Sequence, residues 1–347
     1  MKKSNKESII IAKHISSFLN DYIPFQSGSD NTAKSHECAI ALFLNFLETE
    51  KKVSPEKLKV ECFSQETIEE WLYWLSEKRN CSPQTCNVRL GSIRTFLKYL
   101  SKKEVSMIHV FGEASQIERR KQMRRKVTGM SKIAVQALLN APNEKTAIGR
   151  RDIALMVSLY GTAARIDEML STKIEQLYLD AKKPYAIIIG KGKKPRTLYL
   201  LPKAVAHLKE YIKEYHGDYP DQNSYVFYSR NGGLQQMMSQ TAVNKRLKLY
   251  AKKAHEVCKE VPLSMHAHKL RHAKASHWLE DGINILQISL LLGHEKLETT
   301  EIYLDVTLEQ TTEALATLED EKTKNIPKKW KGKNSSLSEM CGVRTIL

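Results

Sequence analysis

The segment HKLRHAKASH, residues 268–277, combines three histidines and one arginine within about three turns of a predicted helix. His268, Arg271 and His272 are spaced i, i+3 and i+4, so a helix places their side chains on one face. Such a cluster suits either a metal ion or a phosphate. Arg271 favours phosphate, because a guanidinium repels a metal cation and grips a planar anion with two hydrogen bonds. Taken alone, the motif is also compatible with a solvated basic helix.

The overall charge favours a polyanionic partner. The chain has 55 Lys and Arg residues against 39 Asp and Glu, which gives a net charge of +16 and a pI near 9.4. DNA, RNA and an anionic membrane surface all fit this charge. No apolar run approaches the roughly 18 to 20 residues of a membrane span, and the N-terminal apolar run is too short for a secretory signal. We therefore expect a cytoplasmic protein with no membrane partner.

The length and the cysteine pattern narrow the class further. A chain of 347 residues can form two domains, and its hydrophobic content of 41% supplies ordinary cores. Six cysteines are scattered without a CxxC pair, so neither a zinc ribbon nor a disulfide framework is indicated. We expect a mainly α fold, with an all-helical N-terminal domain and an α+β C-terminal domain that contains a small antiparallel sheet.

Residues 1–115 are predicted to form the helical domain, with about four helices. Helices are expected near residues 34–48 and 65–78, and Ser64 and Ser82 have the chemistry of N-cap residues. The helix after Ser82 has one apolar stripe, formed by Leu90, Ile93, Leu97 and Leu100.

Basic residues dominate the end of this domain and the segment after it. Residues 102–116 show no clear periodicity, so no element is predicted there. Residues 116–130 are predicted to be a linker, in which six of the eight residues from Arg119 to Lys126 are basic. Such charges can neutralise DNA phosphates, although charge runs also occur on solvated surfaces. The candidate DNA contacts are Asn87, Arg94 and Lys98 on one helical face, and Arg119, Arg120, Arg124 and Arg125 in the linker.

Residues 131–320 are predicted to form the α+β domain. Two β-rich runs, residues 185–189 and 196–201, flank the turn GKGKKP and predict a hairpin with lysines at its tip. Gly293 is expected to end a helix in the left-handed conformation, which places His294 just past that helix. Other predicted elements are helices at residues 151–160, 203–215 and 239–258, a further short helix carrying Tyr303, and a basic, then polar tail at residues 321–347.

Four segments of this domain together resemble the catalytic boxes of the tyrosine recombinases of the phage-integrase family. The segments are GTAARIDEML, GKGKKPR, HKLRH and LLGHEKLETTEIY. The N-terminal segment SPQTCNVRLGSIRTFLKYL is similar to part of the family's core-binding domain. The segments HKLRHAKASHWLEDG and TTEIY are further similar to integrases encoded by transposons. The resemblance implies a catalytic domain behind a core-binding domain, and a recombinase that cuts and rejoins DNA through a 3′-phosphotyrosine.

The resemblance also implies roles for individual residues. Tyr303 matches the nucleophile, Arg165 and Arg271 match the phosphate-binding arginines, and His268 matches the general base. Lys191 matches the hairpin lysine that protonates the leaving oxygen, with Lys193 or Lys194 as alternatives, and His294 matches a phosphate-steadying histidine. His272 and His277 have no assigned role, and His272 is expected to be structural. One departure is TAAR where TGLR is usual, and the loss of glycine at Ala163 is expected to stiffen the turn before Arg165.

The same resemblance implies partners. We expect double-stranded DNA recombination sites, a homo-tetramer on DNA, accessory or sister recombinases, and association with the nucleoid of a prokaryotic cell. Neither a metal nor a cofactor is implied, because cationic side chains can stabilise the charge that metals meet in many nucleases. Two alternatives remain, a type IB topoisomerase that relaxes DNA as a monomer and a DNA-binding accessory protein of this fold without activity. Trapping of a covalent adduct would exclude the second.

The charge pattern predicts that DNA binding weakens steeply with salt. If six or more phosphates are neutralised, affinity should fall by a factor on the order of 10³ or more between about 50 and 200 mM salt, because bound counterions are released on binding. Titration of a labelled duplex at several salt concentrations measures the slope. A flat salt response would contradict a clamp built on backbone phosphates.

Overall fold

The computed structural model describes most of the chain. The described residues are 6–27, 30–121, 129–190, 194–294, 296–301 and 303. The chain divides into two compact units, residues 1–124 and 125–347. The domain limits at 115 and 131 that the sequence suggested stay predictions. Lys191, Lys193, Arg124, Arg125 and the tail at residues 321–347 lie outside the described residues.

The described part of the first unit is helical. Its helices are α1 (Lys6–Ser17), α2 (Ile23–Ser27), α3 (Asp30–Thr49), α4 (Gln65–Glu77), α5 (Pro83–Ser101) and α6 (Met107–Gln116). A π-helical turn, Phe18–Tyr22, joins α1 to α2, and 3₁₀ turns occupy Pro55–Lys57 and Val60–Phe63. The expected N-caps are confirmed, since Ser64 Oγ accepts the Thr67 N–H and Ser82 Oγ accepts the Thr85 N–H. These caps satisfy N–H groups that a helix leaves without an internal partner.

Aromatic packing around α5 forms the core of the first unit. Phe96 is fully buried, and its ring lies 5.2 Å from that of Phe18. Phe43 and Trp71 stack edge to face, also at 5.2 Å. Such geometry adds stabilisation beyond the burial of apolar area. The apolar stripe that the sequence placed on α5 is buried in this cluster.

Helix α6 corrects the sequence analysis, which predicted about four helices and no element over residues 102–116. Met107, Val110 and Ala114 are buried at i, i+3 and i+7, which is a helical stripe. The Arg94 guanidinium donates to the carbonyls of Ala114 and Ile117 and so satisfies acceptors at the end of α6. The stripe is short and polar residues interrupt it, so tertiary contact rather than periodicity determines this helix.

The second unit is mixed α and β, which confirms the predicted fold class. Its elements are α7 (Lys132–Leu139), α8 (Ala147–Thr162), α9 (Ile166–Leu170), β1 (Leu177–Tyr178), β2 (Tyr185–Ile189), β3 (Pro195–Tyr199), α10 (Pro202–His216), β4 (Tyr228–Ser229), β5 (Gly233–Met237), α11 (Gln240–Val257), α12 (Ala267–Glu280), α13 (Ile285–Leu292) and α14 (Glu298–Glu301). No described helix is long and apolar enough to cross a membrane.

The described part of the second unit contains two small antiparallel sheets. Strands β1, β2 and β3 pair in that order, with Ile188 opposite Arg196. This β2–β3 pair is the hairpin that the sequence predicted, although β3 begins and ends earlier than expected. Ala186 and Ile188 point into the core, so Arg196 lies on the same inward face of its strand. Strands β4 and β5 form a second hairpin that the sequence analysis did not identify.

The turn between α8 and α9 contains a strained residue. Ala163 ends α8 with a φ of 50°, in the left-handed region, and is completely buried. That conformation costs an L-residue with a Cβ about 1–2 kcal/mol, whereas glycine adopts it freely. The expectation that alanine stiffens this turn therefore has a structural basis. The Ala163 carbonyl also accepts a hydrogen bond from Arg271, so the strained turn faces the candidate site.

Substitution of glycine should separate strain from packing at this turn. Ala164→Gly should cost about 1 kcal/mol or more, because it removes a buried methyl group and adds backbone freedom. Ala163→Gly loses a similar methyl group but relieves the left-handed strain, so its free energy of unfolding should be higher than that of Ala164→Gly by about 1–2 kcal/mol. Urea unfolding of both variants measures the difference, and equal destabilisation would show that Ala163 is not strained.

Candidate active site

Helix α12 delivers a buried arginine to the site. Arg271 is 1% exposed, and its guanidinium donates to the Ala163 carbonyl at 2.7 Å and to the Leu292 carbonyl at 2.6 Å. Burial, and then the nearby charge of Arg165, lower the pKa of Arg271 to about 10. It therefore remains a cation at neutral pH. Two of the five N–H donors of the guanidinium meet these carbonyls, which fixes the plane of the group.

Arg165 approaches the same place from α9. It is the N-cap of that helix, and its guanidinium donates to Glu168 Oε1 at 2.9 Å and to the Gly293 carbonyl at 3.3 Å. Its side chain is 35% exposed, in contrast to Arg271. Arg165 therefore presents an accessible guanidinium beside a buried one.

Arg196, on β3, is a third cation that the sequence analysis missed. It donates to the Leu291 carbonyl at 2.5 Å and to Glu168 Oε2 at 2.7 Å. A Cβ on Gly293 would lie 3.0 Å from the Arg196 guanidinium, so glycine at this position leaves room for the arginine as well as allowing positive φ. Three arginines thus bind the successive carbonyls of residues 291–293 at the end of α13. The sequence contained two signals for Arg196. It is the arginine that ends the segment GKGKKPR, and the alternation of residues along β3 places it on the face that points into the core.

Glu168 provides the balancing negative charge. It is 4% exposed and bonds both Arg165 and Arg196, and it also accepts the backbone N–H of Arg165 at 2.8 Å. Burial alone would raise the pKa of Glu168, but these hydrogen bonds and the charge of Arg196 outweigh it and hold the pKa below its ordinary value. An ionised carboxylate therefore lies beneath the arginines. The sequence analysis overlooked it, although it follows Arg165 by three residues on the same helix.

His294 lies just past α13, as predicted. Gly293 ends the helix with a φ of 63°, and the His294 N–H donates to the Ser289 carbonyl at 3.0 Å. The Nδ1 atom of His294 is 2.8 Å from Oγ1 of the buried Thr300. Burial, and then the charges of Arg271, Arg165 and other cations, lower the pKa of His294 to about 4. The imidazole is therefore neutral at pH 7.

Tyr303 is buried and bonded to a histidine. It lies in a turn two residues after α14, so the prediction that it lies on a helix was wrong; its N–H still donates to the Thr300 carbonyl. The side chain is 1% exposed and packs with Ala163 and Leu292. Its hydroxyl is 2.7 Å from His272 Nδ1. Burial raises the pKa of Tyr303 to about 12, although the charge of Arg271 opposes this.

The other two histidines of HKLRHAKASH differ in environment. His268 is exposed and its ring contacts that of His272 at 4.4 Å between centroids. Partial burial, and then the charge of Arg271, lower the pKa of His268. His277 is buried, with Nε2 donating to the Met130 carbonyl at 2.7 Å and Nδ1 2.8 Å from the Tyr160 hydroxyl. His277 therefore has a structural role.

Three of the five candidate DNA contacts that the structure describes in the first unit have intramolecular partners. Asn87 exchanges two hydrogen bonds of 2.9 Å with the backbone of Arg120, whose guanidinium donates to the Leu72 carbonyl. Arg94 bonds the end of α6, as described above. Lys98 and Arg119 are exposed. Because the polar groups of Asn87 and Arg94 are engaged inside the unit, DNA contact by either side chain stays a prediction.

Comparison with known proteins identifies the family. The profile of the phage integrase family matches residues 129–310, and that of the phage integrase N-terminal SAM-like domain matches residues 13–107. The chain belongs to the phage integrase family. The family resemblance is thereby confirmed, and the protein is a site-specific tyrosine recombinase.

Relatives of this recombinase support the assignment along most of the chain. Tyrosine recombinase XerD of Listeria innocua is 30% identical over 297 residues, covering 84% of this chain and 94% of the relative. Tyrosine recombinase XerD of Shewanella oneidensis is 29% identical and covers 84% and 91%. Among solved structures, XerH recombinase bound to a palindromic difH substrate has a TM-score of 0.65 at 17% identity, covering 92% of each chain. The Tn1549 transposon integrase bound to transposon right end DNA also reaches 0.65, at 15% identity, covering 89% and 99%.

The two histidines with a pKa near 4 predict how stability depends on pH. His272 and His294 are neutral in the folded recombinase but titrate at their ordinary value of 6.5 when unfolded. Between pH 6.5 and about 4 the unfolded chain therefore binds more protons, and the free energy of unfolding must fall as the pH is lowered. His268 and His277, whose pKa values are also lowered, act in the same direction.

Thermal unfolding at pH values from 7 to 5 checks this dependence. The midpoint should fall across the series, and replacing His272 or His294 with asparagine should reduce the fall. His207→Asn on α10 serves as the matched control for the loss of one imidazole outside the site. A midpoint that stays constant from pH 7 to pH 5 would mean that these histidines are protonated in the fold.

Proposed function

We propose that the catalytic unit cleaves and rejoins DNA strands through covalent attachment to Tyr303, without a metal or cofactor. The main support for this proposal is that Arg165 and Arg271 both bind the end of α13, beside a buried tyrosine. Arg271 binds the carbonyls of Ala163 and Leu292, and Tyr303 packs in one cluster with the same two residues, so the guanidinium and the phenol are neighbours. Cations beside a hydroxyl nucleophile are the groups that phosphodiester chemistry requires.

The arginines would stabilise the transition state. Attack of a tyrosine oxygen on a phosphodiester builds negative charge on the non-bridging oxygens, and guanidinium groups held in advance meet that charge without reorganising. Glu168 and the carbonyls of residues 291–293 supply this preorganisation. Arg165 is the more accessible of the two and is suited to capture the phosphate first.

The remaining catalytic roles follow from the family. The family resemblance implies His268 as the general base, Lys191 as the donor of a proton to the leaving 5′ oxygen, and His294 as a group that steadies the phosphate. The lowered pKa values of His268 and His294 support neutral imidazoles at pH 7. Lys194 directly precedes the hairpin strand β3 and remains an alternative to Lys191. The phosphotyrosine bond conserves the energy of the cleaved bond, so a 5′-hydroxyl from another strand can rejoin it.

Its biological setting would be movement of a mobile genetic element in a prokaryotic cell. This chain matches XerH bound to difH DNA and the Tn1549 integrase bound to transposon end DNA at equal TM-score. The similarity in HKLRHAKASHWLEDG and TTEIY favours the transposon setting. The DNA in these two complexes supports binding of double-stranded recombination sites. The family resemblance further implies a homo-tetramer on DNA, accessory or sister recombinases, and a place in the cytoplasm at the nucleoid.

Trapping on a suicide substrate tests the nucleophile. A nicked duplex carrying the end sequence of the element should give a covalent protein–DNA adduct with the wild-type chain in EDTA, and none with Tyr303→Phe. Tyr219→Phe is the matched control, because Tyr219 is 97% exposed, and it should react like wild type. A denaturing gel separates the adduct from free DNA.

Three other outcomes would change the proposal. An adduct with Tyr303→Phe would move the nucleophile to another residue. No adduct with any variant, despite demonstrated binding, would indicate a DNA-binding relative without activity. Activity lost in EDTA and restored by zinc would indicate a metal-dependent site.

A further inference from the structure

His272 follows Arg271 directly on α12, yet the two side chains have different partners. Arg271 binds the carbonyls of Ala163 and Leu292, whereas His272 is partly buried and lies against Tyr303. Among the described side chains, His272 is the one that bonds the Tyr303 hydroxyl, with Nδ1 at 2.7 Å from the oxygen. His268, the base that the family resemblance implies, instead contacts the ring of His272 at 4.4 Å. His272 thus lies in contact with both His268 and the tyrosine oxygen.

We propose that His272 Nδ1 accepts the phenolic proton of Tyr303 when the tyrosine attacks the phosphodiester. This inference rests on the proposed function, since it requires Tyr303 to be the nucleophile. In the step, the Tyr303 O–H bond breaks and its proton moves to Nδ1, while a bond forms between the phenolic oxygen and phosphorus. The bond from phosphorus to the 5′ oxygen breaks, and that oxygen takes a proton from the hairpin lysine. Rejoining reverses each transfer, so His272 returns the proton to Tyr303.

The geometry meets the requirement for a proton acceptor. A general base must lie within about 2.6–3.2 Å of the atom whose proton it removes, and His272 Nδ1 lies 2.7 Å from the Tyr303 hydroxyl oxygen. Burial, and then the charges of His268 and Arg271, lower the pKa of His272 to about 4. The imidazole is therefore unprotonated at pH 7, and with the tyrosine hydroxyl as donor its own proton lies on Nε2.

The same charges make the transfer depend on substrate. With neutral His272 and a phenol whose pKa is about 12, the proton stays on Tyr303 in the free protein. A phosphodiester bound by Arg165 and Arg271 brings negative charge that offsets those cations, which raises the pKa of His272. The base thus becomes effective when the phosphate is in place. His268, more exposed and next to the arginines, is then left free to contact that phosphate.

His272→Asn separates proton transfer from positioning, and His272→Phe removes both. His272→Asn places an amide near the former Nδ1 and keeps a hydrogen-bond acceptor for Tyr303, but an amide cannot take up the proton. His272→Phe keeps a ring of similar shape and removes both functions. If His272 is the base, both variants should form adduct at least about 100-fold more slowly than wild type, as loss of general base catalysis typically causes. His207→Asn on α10 is the control and should match wild type.

A second substrate distinguishes deprotonation of Tyr303 from protonation of the leaving 5′ oxygen. A suicide duplex with sulfur in place of the bridging 5′ oxygen has a leaving group that needs no proton. This substrate should not restore the rate of His272→Asn, because the missing step is deprotonation of Tyr303. Restoration by sulfur would overturn the proposal, since it would place His272 on the leaving-group side. Raising the pH should accelerate His272→Asn more than wild type, because hydroxide can then replace the lost base.

The remaining outcomes are also decisive. If His272→Asn reacts at the wild-type rate while His268→Asn is at least about 100-fold slower, His268 is the base and the proposal fails. Adduct formation by Tyr303→Phe would instead refute the proposed function itself. Thermal unfolding and DNA binding of each variant establish that it is folded. Should His272→Asn fail to fold, His272→Gln, which also has an acceptor oxygen without basicity, takes its place with the same criteria.

Discussion

The end of helix α13 is the point on which the active site depends. Its last carbonyls lack partners within the helix and carry the negative end of the helix dipole, so they attract cations. Arg196, Arg271 and Arg165 bind the carbonyls of residues 291, 292 and 293 in turn. Each arginine comes from a different element, so this one helix end brings β3, α12 and α9 to a common place. Cations that would otherwise repel each other are held close together, ready for an anion.

Glu168 makes this concentration of charge tolerable. Buried charges are costly unless they are paired, and a carboxylate that meets two guanidiniums offsets much of their desolvation. The same contacts keep Glu168 ionised, so the carboxylate and the two guanidinium groups stabilise one another. The strained Ala163 belongs to this arrangement too, because its left-handed conformation ends α8 where its carbonyl can accept from Arg271. Local strain and buried charge are thus both compensated by the contacts of Arg271 and Glu168.

In the first unit, polar and basic side chains bind the protein's own backbone rather than form a site for an anion. Arg94 and Asn87 are polar residues on a basic helical face, where contact with solvent or DNA would be expected. Instead, Arg94 bonds the end of α6 and Asn87 bonds the backbone of the chain that follows it. Their hydrogen bonds to main-chain carbonyls satisfy groups that would otherwise lack partners near the end of a helix. A positive residue on a basic protein is therefore not by itself a nucleic-acid contact. In the second unit, Arg165 also has intramolecular partners, Glu168 and the Gly293 carbonyl, but its guanidinium stays 35% exposed beside a second, buried arginine.

The sequence alone determined the elements with strong local signals and the chemistry of the site. Capped and periodic helices such as α4 and α5, the hairpin of β2 and β3, and the left-handed Gly293 all follow from short-range rules. The residue types in four short segments were enough to indicate phosphate chemistry and the family. Tertiary structure alone decided the contacts between distant segments: Arg196 on Glu168, three arginines on one helix end, and His272 rather than His268 on Tyr303. Periodicity shows which face of a helix a residue occupies. His268 and His272 lie on the same face of α12, so periodicity does not show which of them contacts the tyrosine. Only the packing of the turn after α14 against α12 distinguishes them, because it places the tyrosine oxygen beside one histidine.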